Sequence, residues 1–355
     1  MFFAVAKKRV DAYFAQHHIS KHANAAMVIK TIVLLGMYVV PFLLVLLVPM
    51  PFAVALGLWA IMGFGLAGIG MSIMHDANHG AYSSNATVNN VLGYTLAILG
   101  AGVFNWKIQH NVLHHNYTNI SGVDEDINDK YFLKLSPHKA SNKLQRGQHI
   151  YAFALYAVST LYWVFYKDFP QYLRYVKSGL AKHSKLRAAL GFAAILLHKL
   201  AYLFVVLAVP VLFFGLPFYQ VLLGFVLMHA IAGLTLTIIF QLAHTIEDTT
   251  HPLPNADGII ENDWAIHQMQ TTVNFAPNNK LLSWYCGGLN YQVEHHLFPS
   301  ICHVHYPAIA AIVKQTAAEH GVPYLQNESF AKAFKLHLVT LRRFGHVVDL
   351  DEAIV

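Results

Sequence analysis

Four long stretches of the chain are apolar almost throughout, roughly residues 31–48, 52–74, 188–214 and 218–243. Each is near or above the ~20 residues a helix needs to cross the hydrocarbon core of a bilayer. They come in two pairs. Pro49-Met50-Pro51 separates the members of the first pair and Gly215-Leu216-Pro217 those of the second. Proline and glycine stop helices, so the pattern predicts two helical hairpins. Two further apolar stretches, 88–104 and 149–166, are shorter, and the second is rich in Tyr and Trp. Such segments lie in the interface or re-enter without crossing.

Composition turns that pattern into a class. Of 355 residues, 56% are hydrophobic and 12% charged, against about 25% charged in an ordinary soluble domain. That leaves too little polar surface to cover a globule, and the expectation is an all-α, polytopic membrane protein. The start, MFFAVAKKRVDAYF, carries its charges after a very short apolar run, the wrong order for a signal peptide. Two cysteines, Cys286 and Cys302, provide no disulfide framework.

Charge placement sets the orientation. Neither hairpin turn carries a charge. Of the 24 Lys and Arg, five fall in residues 1–30, twelve in 105–187 and six after residue 247. The positive-inside rule puts all three regions in the cytosol, so the net charge of +6 needs no nucleic acid to explain it. A single domain over 1–355 is expected, with a cytosolic helical cap formed by 105–187 and 247–355. Lys199, inside the third span, must snorkel, pair or mark a later helix start. Parity keeps 88–104 from crossing and requires an even number of the next three apolar segments to cross; 149–166, the shortest and ending at Lys167 and Asp168, is the one expected to stay in the interface.

The 23 histidines are the second anomaly, because ionisable groups in membrane segments mark function. His75 and His79, in HDANH, follow the second span. His110, His114 and His115 lie in HNVLHH, His244 closes the fourth span, and His295 and His296 lie in QVEHH. One histidine at a helix end is ordinarily an interfacial side chain. Eight from four segments, all able to reach one membrane face, point to a shared metal site. His75 with His79 and His110 with His114 stand at i and i+4, on one helical face. His267 is an intermediate case, and Gln241 is a further open one. His17, His18, His138, His149, His183, His198, His229, His303 and His305 lack the pattern and read as structural or surface residues.

Eight imidazoles exceed the needs of one ion. No H-E-x-x-H motif of zinc proteases is present, nor the paired E-x-x-H of soluble di-iron bundles, and haem would use only one or two axial ligands. A histidine-rich di-iron centre fits best, with Asp76, Asp124, Asp126, Glu247 and Glu294 available to orient the rings.

The three boxes HDANH, HNVLHH and QVEHH resemble those of the membrane fatty acid desaturases over about residues 30–325. The glutamine that opens the third box, Gln292, within GLNYQVEHHLFP, is similar to the front-end (Δ5/Δ6-type) branch and its sphingolipid-desaturase relatives. The resemblance implies a four-span fold with a cytosolic cap and two non-haem Fe ions. Their ligands would be His75, His79, His110, His114, His115, His244, His295 and His296. It also implies O2-dependent insertion of a cis double bond into a fatty acyl chain carried on CoA, ACP or a membrane lipid. Gln292 would sit at the metals as a catalytic group. Many front-end relatives carry a fused cytochrome b5 domain with an H-P-G-G motif. That motif is absent here and the 30 residues before the first span are too few, so a separate donor of cytochrome b5 or ferredoxin type is expected. A related di-iron hydroxylase and a metal transporter are the alternatives. The transporter would place its ligands near mid-bilayer.

Overall fold

The computed structural model describes residues 1–181 and 184–347, so His183 lies outside the described residues. Its helices long and apolar enough to cross a membrane are Ala25–Leu47, Phe52–Asn78, Lys185–Phe214 and Phe218–His244, the four spans expected. Each runs a little further than hydropathy suggested, and always at the same end of the bundle: the start of the first and third, the finish of the second and fourth. At that end the helices leave the apolar zone and continue into the cap. Asn24 caps the first span, its side-chain oxygen accepting from the Met27 amide at 3.1 Å, and Ser184 does the same for the third. Gly215, at φ 66°, ends the third in the left-handed conformation that glycine adopts without strain.

The second and fourth spans pack closely. A Cβ on Gly63 would lie 2.7 Å from the Met228 carbonyl, and Gly224 sits directly under the Trp59 indole. Small residues permit such approach where no hydrophobic force drives helices together in lipid. The outer faces display Ile29, Ile32, Val40, Leu197, Leu212 and Leu223, as a lipid-facing surface should.

The stretch expected to re-enter is broken. Helix Ala86–Leu99 meets Val103–Tyr117 at 106°. Asp168 braces the break: its carboxylate accepts from the Gly102 amide (2.9 Å) and the Trp163 indole (3.0 Å), while Asn105 donates to its carbonyl (2.8 Å). Lys199 completes the knot with a 2.8 Å ion pair to Asp168 and bonds to the carbonyls of Gly100 and Trp163. Of the three fates open to Lys199, pairing is the one realised.

Among the described residues the cap combines helices with long turns and loops over 118–144 and 245–263. Its strand pairing is a two-residue parallel pair, Asn274–Phe275 with Gln326–Asn327, and an isolated bridge between Lys130 and Leu133. Helix Phe2–Gln16 buries Phe2, Ala6, Val10 and Phe14, spaced four apart on one face, against Ile309, Val313 and Ala317 of helix Tyr306–Glu319. Helix Phe330–Phe344 packs on Gln148–Ala157 and on the fourth span.

Candidate metal centre

All eight histidines expected at the site converge there. Donor nitrogens of His75, His79, His110 and His295 lie within 4.8 Å of one another, as do those of His114, His244 and His296. His115, with His295 and His296, forms a third such group that joins the two. Backbone irregularities aim the rings. A π-helical turn, Ile69–Ile73, precedes His75, and the HNVLHH box lies largely in another, Lys107–His114. π-bulges concentrate at functional sites. In the wider turn His110 meets the residue five on, with Nε2 atoms of His110 and His115 3.3 Å apart. His114 instead turns to His244 and His296, with ring centroids at 4.7 and 4.9 Å. His110 and His114, expected to act together at i and i+4, are neighbours whose donor atoms serve different groups.

The outward nitrogens are held. His114 Nδ1 donates to Asp124 Oδ2 (3.0 Å), His244 Nδ1 to the Thr271 carbonyl (3.2 Å) and His296 Nδ1 to Gln268 Oε1 (2.7 Å). A neutral imidazole that donates from Nδ1 keeps its lone pair on Nε2. The Nε2 atoms of His79, His114, His244, His295 and His296 are all buried without a hydrogen-bond partner, as are Nδ1 of His75 and His115. His75 and His110 bring their Nε2 atoms to 3.1 Å. Each buried polar group left unsatisfied costs ~1–3 kcal/mol, and such groups are uncommon in native proteins. Metal ions accepting the one lone pair of each neutral ring would remove much of that cost, and imidazole donors suit iron among other transition metals. The residues fit the expected group.

The carboxylates divide. Asp124 binds His114 directly and also accepts the Asn119 amide (2.9 Å). Asn119, at φ 60°, donates from its side chain to the His244 carbonyl (2.9 Å), tying that loop to the end of the fourth span. Asp126 lies 3.9 Å from His114 and is hydrogen-bonded by Gln109; burial and the neighbouring Asp124 push its carboxyl up. Glu294 and Glu247 do not reach the rings. Glu294 binds Asn274 (2.7 Å) and Tyr324 (2.9 Å), and burial pushes it up to about 7. Glu247 pairs with Arg343 at 3.5 Å.

His267 stays outside the groups, its Nε2 2.8 Å from the Thr118 carbonyl. Its neighbour Gln268 is the residue that touches a ring, a role that sequence reasoning misses along with those of Tyr306, 3.1 Å from His295 Nδ1, and Asn119. The proximity of Gln268 to a histidine-bearing helix is the only signal the sequence offers. His303, expected to be structural or superficial, is buried and bonded to Asp76 at 2.8 Å.

A cavity of about 860 Å³ reaches the rings, within the ~300–1,000 Å³ usual for ligand pockets. His75, His110, Gln241 and Gln292 line its buried part, Met71, Leu99, Leu236 and Phe240 its apolar walls, and exposed Lys130, Tyr131 and Arg174 its open side. The Oε1 atoms of Gln241 and Gln292 are both buried and unpartnered.

Known proteins resemble the chain over this whole arrangement. The family model described as fatty acid desaturase matches residues 49–328. An sn-1 linoleoyl-lipid 6-desaturase of Synechocystis sp. is 38% identical over 97% of this chain and 95% of its own length. The protein of the same name from Arthrospira platensis is 34% identical, covering 95% and 91%. An acyl-lipid (8-3)-desaturase of Physcomitrium patens is also 34% identical, over 97% of this chain and 72% of its own. Family match, spans and histidine groups agree, and the chain belongs to the fatty acid desaturase family of membrane oxidoreductases.

Proposed function

We propose that the chain is a front-end acyl-lipid desaturase, inserting a cis double bond on the carboxyl side of one already present, with Δ6- or Δ5-like position on a linoleoyl-type substrate. The observation that carries this is the junction of an apolar cavity with two groups of buried histidines, each of which except His110 has a ring nitrogen without a protein partner. The names of the relatives supply the regiochemistry and the lipid-linked acyl chain. His75, His79, His110 and His295 would hold one iron and His114, His244 and His296 the other, with His115 between them. Bound there, the irons supply activation of O2 sufficient to remove hydrogens from an unactivated alkyl chain, chemistry that side chains lack.

The protein's part is placement. Asp124, Thr271 and Gln268 fix three ring tautomers. Met71, Leu99, Leu236 and Phe240 exclude water and hold the chain beside the site. Gln292 and Gln241 offer carbonyl oxygens toward the reacting end of the cavity. The centre faces the cytosol in this reading, on the side of the basic residues. Electrons come from a separate cytochrome b5- or ferredoxin-type protein, attracted by exposed Lys139, Lys143 and Arg146.

Expression in a desaturase-deficient host fed linoleate, followed by mass spectrometry of double-bond positions, tests the assignment. A new double bond nearer the carboxyl group is expected; a hydroxylated acyl chain or a bond on the methyl side overturns it. Purified protein should hold two irons per chain. His114→Ala and His295→Ala should each abolish turnover, whereas exposed His17→Ala leaves it intact.

A further inference from the structure

Asp76 lies between the two histidines of the first box and is itself fully buried. Its Oδ2 accepts from His303 twice, from the ring Nδ1 at 2.8 Å and from the backbone amide at 3.2 Å. On the far side of the ring, His303 Nε2 is 2.7 Å from Lys30 Nζ. Lys30 belongs to the first span, is 3% exposed, and holds its ammonium 5.4 Å above the Trp284 ring. These residues come from three separate parts of the chain, and the sequence pattern marks none of them as a ligand.

With Lys30 charged, the order of donors along this line follows. An ammonium has three N–H donors and no lone pair, so His303 Nε2 must accept from Lys30. The neutral ring then carries its proton on Nδ1, where it donates to Asp76. Asp76 is left as a fixed carboxylate whose other oxygen, Oδ1, stands 3.9 Å from His75 Nδ1. A negative charge on that side of His75 favours the proton on Nδ1 and the lone pair on Nε2, the atom that meets His110 Nε2 at 3.1 Å.

We propose that Lys30 is a positioning residue which, through His303 and Asp76, sets the tautomer of His75 and so the metal affinity of the group His75, His79, His110 and His295. This role rests on the proposed metal site. The second group is oriented by Asp124, Thr271 and Gln268, none of which bonds to this line, so the effect of Lys30 is confined to one ion. Asp76, Cys302 and His303 also cluster as metal ligands would, but the Lys30 ammonium already occupies His303 Nε2 and its charge opposes a cation there.

The test is release of iron from the intact, detergent-solubilised holoprotein to a chelator, followed by absorbance. In Lys30→Met, half of the iron should leave ~10–100-fold faster, the usual consequence of losing a group that orients a metal-binding histidine, while the other half leaves at the wild-type rate. Lys30→Arg, which also donates without accepting, should restore the slow release. Release unchanged in Lys30→Met, or accelerated equally for both irons, overturns the proposal. Should Lys30→Met not fold, Lys30→Gln is read the same way, because its amide can accept as well as donate and no longer dictates the tautomer. Wild-type protein that binds no iron refutes the metal site itself and this inference with it, a result distinct from a variant that behaves as wild type.

Discussion

Gln292 and Gln241 each present a buried carbonyl oxygen with no partner beside the rings, and Gln292 opens the helix that carries His295 and His296. Removing its amide leaves the ring donors in place. Gln292→Ala should therefore retain both irons and lose ~10–100-fold in turnover, whereas Gln292→His, which puts a nitrogen donor in the same place, should be the milder change. Metal analysis alongside product formation checks both; Gln292→Ala turning over at the wild-type rate would remove Gln292 from the working site. At this scale the eight histidines were legible because imidazoles gathered at span ends are costly to bury unless a metal takes their lone pairs. Gln268, Tyr306, His303 and Asn119 were not. Each acquires its role from a partner on another element that folding brings near, 28 residues away for Gln268 and His296, 125 for Asn119 and His244 and 227 for His303 and Asp76, and no local spacing records such a pairing.

Among the elements, the four spans were readable because crossing a bilayer demands sustained apolarity, but that demand ends at the edge of the hydrocarbon. The extra residues on the cap side, and the π-turn that sends His110 and His114 to different groups, depend on packing and leave no hydropathic mark. The 106° break between Ala86–Leu99 and Val103–Tyr117 is likewise held by the distant Asp168 and Lys199. Breaking one side of a buried ion pair costs about 3–5 kcal/mol because the other charge is left uncompensated. Lys199→Met should lower the thermal stability of the solubilised protein accordingly, and adding Asp168→Asn should recover part of the loss. A double variant no more stable than Lys199→Met alone would mean that the pair does not brace the break.

Across the whole molecule, the C-terminal helix is joined to the membrane bundle through His337. Its Nδ1 donates to the Thr245 carbonyl at 2.7 Å, and its Nε2 lies 3.0 Å from the Tyr156 hydroxyl. Burial pushes His337 down to about 4, and His251 likewise, to about 4. Both are neutral in the folded protein, and an unfolded histidine takes up its proton near pH 6.5. Their contribution to stability is thus complete above about pH 6.5 and is lost as the pH falls from there toward about 4. Unfolding followed at several pH values should show this slope, and His337→Gln should flatten it; an unchanged slope would place the acid sensitivity elsewhere. Donor-limited turnover should also fall with added salt if the basic face steers the electron carrier, since the Debye length is about 8 Å at physiological ionic strength.

The docking of helix Phe2–Gln16 on Tyr306–Glu319, together with the contact between His75 and His295, fixes an order of events during biosynthesis. Helix Phe2–Gln16, made before the spans, must wait for residues made after them before either finds its partner. All four spans are therefore inserted while the first two histidine boxes still lack the third. Contacts so distant in sequence form late, so a nascent chain halted before residue 290 should be integrated in the membrane yet retain no iron. Metallation of the proposed site would then come late in biogenesis, and it would report that the segments before and after the spans have met.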